Sequence, residues 1–125
     1  MRVLLDTNFL MLPLQLNVDV FGECDRLFEA KCSFLALQAS LSELGAMKGK
    51  EKMRGRAAMA LVAKKGVEII PGGGRPDKLI LEVAVKNSGR DDFAVATQDR
   101  KLAGKLKVLG AKVVGLRGKS HLELA

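Results

Sequence analysis

Short apolar runs alternate along this chain with longer segments of helical periodicity. The first run, residues 3–5, is hydrophobic throughout, as is typical of a strand buried on both faces of a parallel sheet. Four further runs predict strands at residues 32–37, 67–70, 93–97 and 112–116. Strands that alternate with helices form mostly parallel sheets with helices on both faces. The sequence therefore predicts one α/β domain over residues 1–125, built as a three-layer α/β/α sandwich.

The segments between these runs have helical spacing. Helices are predicted at residues 18–30, 38–45, 50–65, 76–88 and 99–109. Residues 9–15 contain Pro13 and are expected to form an apolar loop, and the tail from Arg117 an ordered end or a short helix through residues 121–124. No apolar stretch is long enough to cross a membrane, and no signal peptide is expected.

The composition excludes several kinds of site. With two Cys and one His, the chain cannot form a zinc finger or zinc ribbon. Cys24 and Cys32 lie in apolar surroundings and are expected to be buried thiols, which suits the reducing cytoplasm. The chain has no Trp or Tyr, so base stacking on aromatic platforms is a poor candidate for nucleic-acid binding.

The charge of the chain is strongly positive, with 21 Lys and Arg against 14 Asp and Glu. The excess is concentrated at residues 48–65 and 100–119, and the second of these blocks contains no acid. Two such blocks suggest a polyanionic partner, although charge alone fits a solvated basic surface equally well. The candidate contacts for a nucleic-acid backbone are Lys50, Arg54, Arg56, Arg100 and Lys101.

Four acids follow the predicted strands, each on a strand-to-helix connection. Asp6 comes directly after the first strand, and Glu43 lies on the helix after the second. Asp77 opens the helix after the third strand, and Asp99 follows the fourth. Because the carboxyl ends of parallel strands meet at one edge, these carboxylates should gather there. Carboxylates that converge repel one another unless a cation lies between them, and Mg²⁺ or Mn²⁺ suits their oxygen atoms.

Taken singly, each of these acids also has a structural explanation. Asp77 and Asp99 could be helix caps, and Glu43 could be a solvated helix residue. Four acids at corresponding places favour a shared metal site over these separate explanations. Asn8 and Thr97 supply neutral oxygens beside Asp6 and Asp99 and are expected to orient these ligands.

Asp91 and Asp92 form a more conspicuous acidic pair, but their position argues against a metal site. They precede the fourth strand, whereas Asp99 follows it. An extended chain places Asp92 roughly 20 Å from Asp99. We therefore expect this pair at the opposite edge of the sheet.

The motifs that carry these acids resemble those of the PIN-domain nucleases. The similarity covers nearly the whole chain and rests on residues 5–8, 41–44, 77–80 and 96–102. Within the family, residues 6–15 and 95–117 are most similar to the archaeal and eukaryotic PIN proteins linked to small-subunit ribosomal RNA processing. Lys78 departs from the pattern, because eukaryotic relatives often carry a second acid there.

The resemblance implies a five-stranded, mostly parallel sheet of order 3-2-1-4-5 and a metal-dependent endoribonuclease. In that interpretation Asp6, Glu43, Asp77 and Asp99 hold Mg²⁺ or Mn²⁺ and are the catalytic set, and a metal-activated water attacks the phosphodiester. The expected substrate is RNA, namely a ribosomal RNA precursor. A ribonuclease toxin of a toxin–antitoxin pair and a catalytically silent RNA-binding subunit of a ribosome-assembly particle remain alternatives, and a homodimer stays open.

A phospho-acceptor domain of the receiver type also collects acids at the edge of a parallel sheet. Such a domain would have paired acids after its first strand and a phosphorylated Asp after its third. Neither feature occurs here, so this class is set aside.

Overall fold

The computed structural model describes residues 1–125 and contains six strands and six helices. In chain order they are β1 (Arg2–Leu5), α1 (Thr7–Gln15), α2 (Val20–Phe28), β2 (Ser33–Leu37), α3 (Gln38–Gly45), α4 (Glu51–Lys64), β3 (Glu68–Ile70), α5 (Pro76–Lys86), β4 (Phe93–Ala96), α6 (Arg100–Val108), β5 (Lys112–Arg117) and β6 (His121–Leu124).

The strands form one sheet of order β3-β2-β1-β4-β5-β6. The first five are parallel, and β6 pairs antiparallel with β5 at the edge. The predicted mostly parallel α/β fold and its order 3-2-1-4-5 are confirmed. The structure adds a sixth strand at residues 121–124, where an ordered end or a short helix was expected. Only Leu122 in this strand is buried. The strand therefore lacks the repeated alternation of buried and exposed residues by which a sequence predicts a strand.

β1 lies in the middle of the sheet, and its side chains pack against helices on both faces. Val3, Leu4 and Leu5 are completely buried. Successive side chains of a strand point to opposite faces. Val3 and Leu5 belong to the core beneath α1, α2 and α4, whereas Leu4 packs in the second core with residues of α5 and α6.

The segment expected to be a loop is the helix α1, and the prediction for residues 9–15 is wrong. Asp6 caps its beginning, with its side chain accepting a hydrogen bond from the Thr7 N–H. Pro13 lies inside the helix, where a proline costs about 3 kcal/mol. Residues 9–12 are buried in the core, and that burial offsets the cost. The proline signal was therefore outweighed by tertiary packing.

α3 and α4 pack closely because Gly55 has no side chain. A Cβ atom at this position would lie 2.5 Å from the carbonyl oxygen of Leu44 in α3. The buried positions of α4 are Gly55, Ala58 and Val62, whereas Met53 is 70% exposed. This contact fixes the end of α3, the helix that carries Glu43.

Two further features concern the helices and the cysteines. None of the helices combines the length and apolar character needed to cross a membrane. Cys24 and Cys32 are buried free thiols, and burial raises the pKa of the Cys24 thiol to about 12.

Candidate active site

The four acids that follow the strands line one open cleft at the carboxyl edge of the sheet. The cleft has a volume of about 540 Å³. Asp6 and Asp99 reach it from the ends of β1 and β4, Glu43 from α3, and Asp77 from the first turn of α5. The topology therefore brings together residues that are up to 93 positions apart in the sequence.

Asp6 is the buried member of the set, with 8% of its surface exposed. Its Oδ1 accepts a hydrogen bond from the Thr7 N–H at 2.8 Å, and its Oδ2 accepts one from the Thr97 hydroxyl at 2.7 Å. Burial raises the pKa of Asp6, the hydrogen bonds from Thr97 and Thr7 lower it, and the negative charges of Asp99 and Glu43 raise it. The net shift is upward, so the ionised carboxylate is poorly compensated by the protein alone.

Thr7 positions Glu43 across the cleft. Its hydroxyl donates a 2.6 Å hydrogen bond to Glu43 Oε1. Thr7 was not among the residues predicted for the site. The available signal was its place between Asp6 and Asn8.

Asp99 lines the cleft and also caps α6. Its Oδ1 accepts hydrogen bonds from the N–H groups of Lys101 and Leu102 at 2.9 and 3.1 Å. Its own N–H donates to the Thr97 hydroxyl oxygen at 3.1 Å. Asp99 therefore caps α6 through Oδ1 and also lines the cleft. Its Oδ2 makes no hydrogen bond within the protein.

Asn8 ties α1 to the connection between β4 and α6. Its Oδ1 accepts a hydrogen bond from the Gln98 N–H at 3.2 Å, and its Nδ2 lies 3.4 Å from Asp6 Oδ2. Asn8 and Thr97 therefore contact Asp6 from neighbouring segments and hold the ends of β1 and β4 in register.

Asp77 has a cationic partner inside the cleft. It is not the cap of α5, since Arg75 occupies that position and Pro76 begins the helix. Arg75 Nη2 lies 3.1 Å from Asp77 Oδ2, and both side chains are substantially exposed. Sequence analysis missed Arg75, although an arginine two residues before a candidate ligand was a usable signal. The cleft therefore contains one cation, and it pairs with Asp77.

The donor atoms of the cleft fit a hard divalent cation such as Mg²⁺ or Mn²⁺. All are oxygens, and Glu43 Oε2, Asp77 Oδ1 and Asp99 Oδ2 make no hydrogen bond within the protein. As the side chains stand, no three acidic, His or Cys groups lie closely enough together to hold one ion. Side-chain movement would be needed to close the set on a metal, and the pair with Arg75 engages one oxygen of Asp77.

The predicted RNA contacts lie outside this cleft, and all of their side chains are exposed. Lys50 immediately precedes α4, and Arg54 pairs with Glu51 on the same helix at 2.9 Å. The remaining members of the predicted set are Arg56 on α4 and Arg100 and Lys101 at the start of α6. α4 packs against α1 and α3, the helices that bear Thr7 and Glu43.

Asp91 and Asp92 lie at the opposite edge of the sheet. The backbone carbonyl of Asp92 accepts a hydrogen bond from the N–H of Arg2, at the beginning of β1. The Asp92 side chain pairs with Arg90 at 3.1 Å, and neither acid lines the cleft. Lys78 does not line it either.

Comparison with known proteins gives a family and a fold. A family model described as a PIN-like domain matches residues 3–119. The chain is similar to a structure entitled "Structure of the PIN domain endonuclease Utp24", with a TM-score of 0.79 and 22% identity over 98% of this chain and 90% of that one. It is also similar to a domain of a functionally unknown protein from Methanocaldococcus jannaschii, with a TM-score of 0.56 and 17% identity over 94% of this chain and 91% of that one. No curated protein matches significantly.

Proposed function

This chain belongs to the PIN-like domain family, and on that premise we propose that it is a metal-dependent endoribonuclease acting in ribosomal RNA processing in the cytoplasm. The observation that carries the proposal is the single cleft lined by Asp6, Glu43, Asp77 and Asp99. The RNA assignment is supported by the basic surface of α4 and α6. The ribosomal assignment rests on the motif similarity of residues 6–15 and 95–117.

The four carboxylates are the residues that would hold Mg²⁺ or Mn²⁺. When bound, such an ion lowers the pKa of a coordinated water and stabilises negative charge on the leaving oxygen. Thr97 and Thr7 orient Asp6 and Glu43, so these oxygens are positioned by the fold and not by the substrate. Lys50, Arg54, Arg56, Arg100 and Lys101 would bind backbone phosphates, which otherwise are repelled by the acids.

The proposal is tested with purified protein and a single-stranded or looped RNA. We expect slow cleavage that requires Mn²⁺ or Mg²⁺ and stops in excess EDTA. Asp6→Asn should lower the rate by a factor on the order of 10² or more, because a buried ligand loses its charge. Asp92→Asn is the matched control at the opposite edge and should cleave within a few-fold of wild type.

Equal cleavage by wild type and Asp6→Asn, or full activity in EDTA, would overturn the nuclease proposal. RNA binding without any cleavage would favour the silent ribosome-assembly subunit. Sequencing of RNA crosslinked to the protein in its own cells tests the ribosomal assignment separately, and an absence of ribosomal RNA precursors would contradict it.

A further inference from the structure

A second cleft adjoins the acidic one, and Asp99 lines both. Its volume is about 520 Å³, nearly equal to that of the first cleft and within the range of pockets that accept small ligands. It lies between α6 and β5. The charged side chains that line it are Asp99, Arg100 and Lys107. A molecule bound in the second cleft would therefore lie directly beside the acidic cleft.

The two cations of this cleft are available for an anionic ligand. Arg100 and Lys107 are exposed, and neither forms an ion pair within the protein. Seven residues apart, they lie on the same face of α6, separated by about 10 Å along its axis. They can therefore contact separate groups of one extended ligand. Lys101 and Lys105 belong to the same helix but do not line the cleft.

Small residues form part of the floor of the cleft, beside the larger Val113 and Leu116. Ala103 and Gly104 of α6 face Gly115 of β5 across it. Glycine is poorly suited to the interior of a helix, yet a Cβ atom at Gly104 would meet nothing within 4 Å. Neither packing nor backbone conformation demands a glycine here. The glycine at position 104 leaves this part of the cleft unfilled.

We propose that the second cleft binds one nucleotide of the RNA strand adjacent to the phosphodiester that is cleaved. This inference rests on the proposed endoribonuclease function. Arg100 and Lys107 contact phosphates of the strand, and the ribose and base lie over Ala103, Gly104 and Gly115. Contacts of this kind are to phosphate and to small residues, so they bind the strand without selecting its sequence.

Two pairs of variants test the subsite. Gly104→Leu fills the cleft with a residue that favours helix, and Gly104→Ala is its control because it adds a single methyl group. Lys107→Ala removes a cation of the cleft, and Lys105→Ala removes an exposed cation of the same helix outside it. Binding of a short fluorescent RNA is measured by anisotropy in the Asp6→Asn background without added metal, and melting temperatures verify folding.

We expect Gly104→Leu and Lys107→Ala to weaken RNA binding about 10-fold, and both controls to stay within two-fold of their parent. Calorimetric Mn²⁺ affinity, measured with Asp6 intact, should be equal in all four variants, because the subsite holds RNA and not the ion. If Gly104→Leu fails to fold, the two lysine variants decide the question.

The two proposals fail in different ways. Wild-type protein that neither cleaves nor binds RNA would overturn the endoribonuclease function. Wild-type protein that cleaves RNA, with Lys107→Ala and Lys105→Ala binding equally well, would overturn only the subsite.

Discussion

The hydroxyl of Thr97 donates a 2.7 Å hydrogen bond to Oδ2 of Asp6, 91 residues away in the sequence. The hydroxyl oxygen of Thr97 in turn accepts a hydrogen bond from the N–H of Asp99. One buried threonine thus links the acids at the ends of two adjacent parallel strands. Thr97 is a positioning residue in this arrangement, since it acts through the carboxylate of Asp6.

Thr97→Val should weaken Mn²⁺ binding, most strongly in the pH range in which Asp6 titrates. Valine keeps the shape of threonine but removes the hydrogen bond that lowers the pKa of Asp6, so this pKa, already raised by burial, rises further. A metal competes with the proton for the ionised carboxylate, so affinity increases as pH rises through the pKa of Asp6. Calorimetric titration with Mn²⁺ over a pH series should show the rise displaced to higher pH in Thr97→Val.

Thr97→Ser is the control for this prediction because serine retains the hydroxyl. Its pH dependence should follow that of wild type. Superimposable curves for Thr97→Val and wild type would show that the hydrogen bond does not tune Asp6.

Asp99→Asn and Asp99→Ala should both bind metal more weakly than wild type, but they should differ from each other in stability. Asparagine preserves a cap oxygen for the N–H groups of Lys101 and Leu102, and it removes a negative charge near Asp6. The melting temperature of Asp99→Asn in EDTA should therefore equal or exceed that of wild type. Asp99→Ala loses the cap and should be about 1 kcal/mol less stable.

Mn²⁺ should raise the melting temperature of wild type more than that of either Asp99 variant, because binding to the native state stabilises it. An Asn variant as unstable in EDTA as the Ala variant would indicate that the Asp99 charge is needed for folding. Equal stabilisation of all three proteins by Mn²⁺ would remove Asp99 from the ligand set.

Arg75→Gln should tighten Mn²⁺ binding two- to five-fold. The guanidinium of Arg75 occupies Asp77 at 3.1 Å, and an exposed ion pair of this kind is worth at most about 1 kcal/mol. Lys78→Gln is the matched control, since it removes the same charge from a side chain that does not line the cleft. Calorimetry that gave equal affinities for both variants would mean that Arg75 does not compete with the metal.

The position of the four acids at one edge of the sheet could be predicted from sequence because it depends on where the strands end. A continuous apolar strand at residues 3–5 followed by Asp6 fixes that acid at the carboxyl edge of a parallel sheet, whatever the details of packing. The same reasoning holds for Asp99 after β4. The edge of the sheet was therefore predictable before any side-chain contact was known.

Features that depend on tertiary packing or on side-chain conformation could not be predicted in this way. α1 forms despite Pro13 because residues 9–12 are buried in the core, and the local sequence does not show that this burial outweighs the cost of the proline. The Arg75–Asp77 pair and the Thr7–Glu43 hydrogen bond depend on rotamers, which sequence spacing does not determine. Sequence located the acids but not the groups that position or neutralise them.

Gly55→Ala should destabilise the fold and weaken metal binding, although alanine favours helix. The added Cβ atom would lie 2.5 Å from the Leu44 carbonyl oxygen, so α3 and α4 must move apart. Overpacking of this kind costs about 1–3 kcal/mol, and the displaced α3 carries Glu43, the neighbour of Leu44. Gly104→Ala is the matched control, because its Cβ meets no atom and should stabilise α6 by up to about 1 kcal/mol. Denaturant unfolding and Mn²⁺ calorimetry measure both effects. Two glycine variants of equal, increased stability would show that α3 and α4 can separate without strain, and that Glu43 does not depend on their contact.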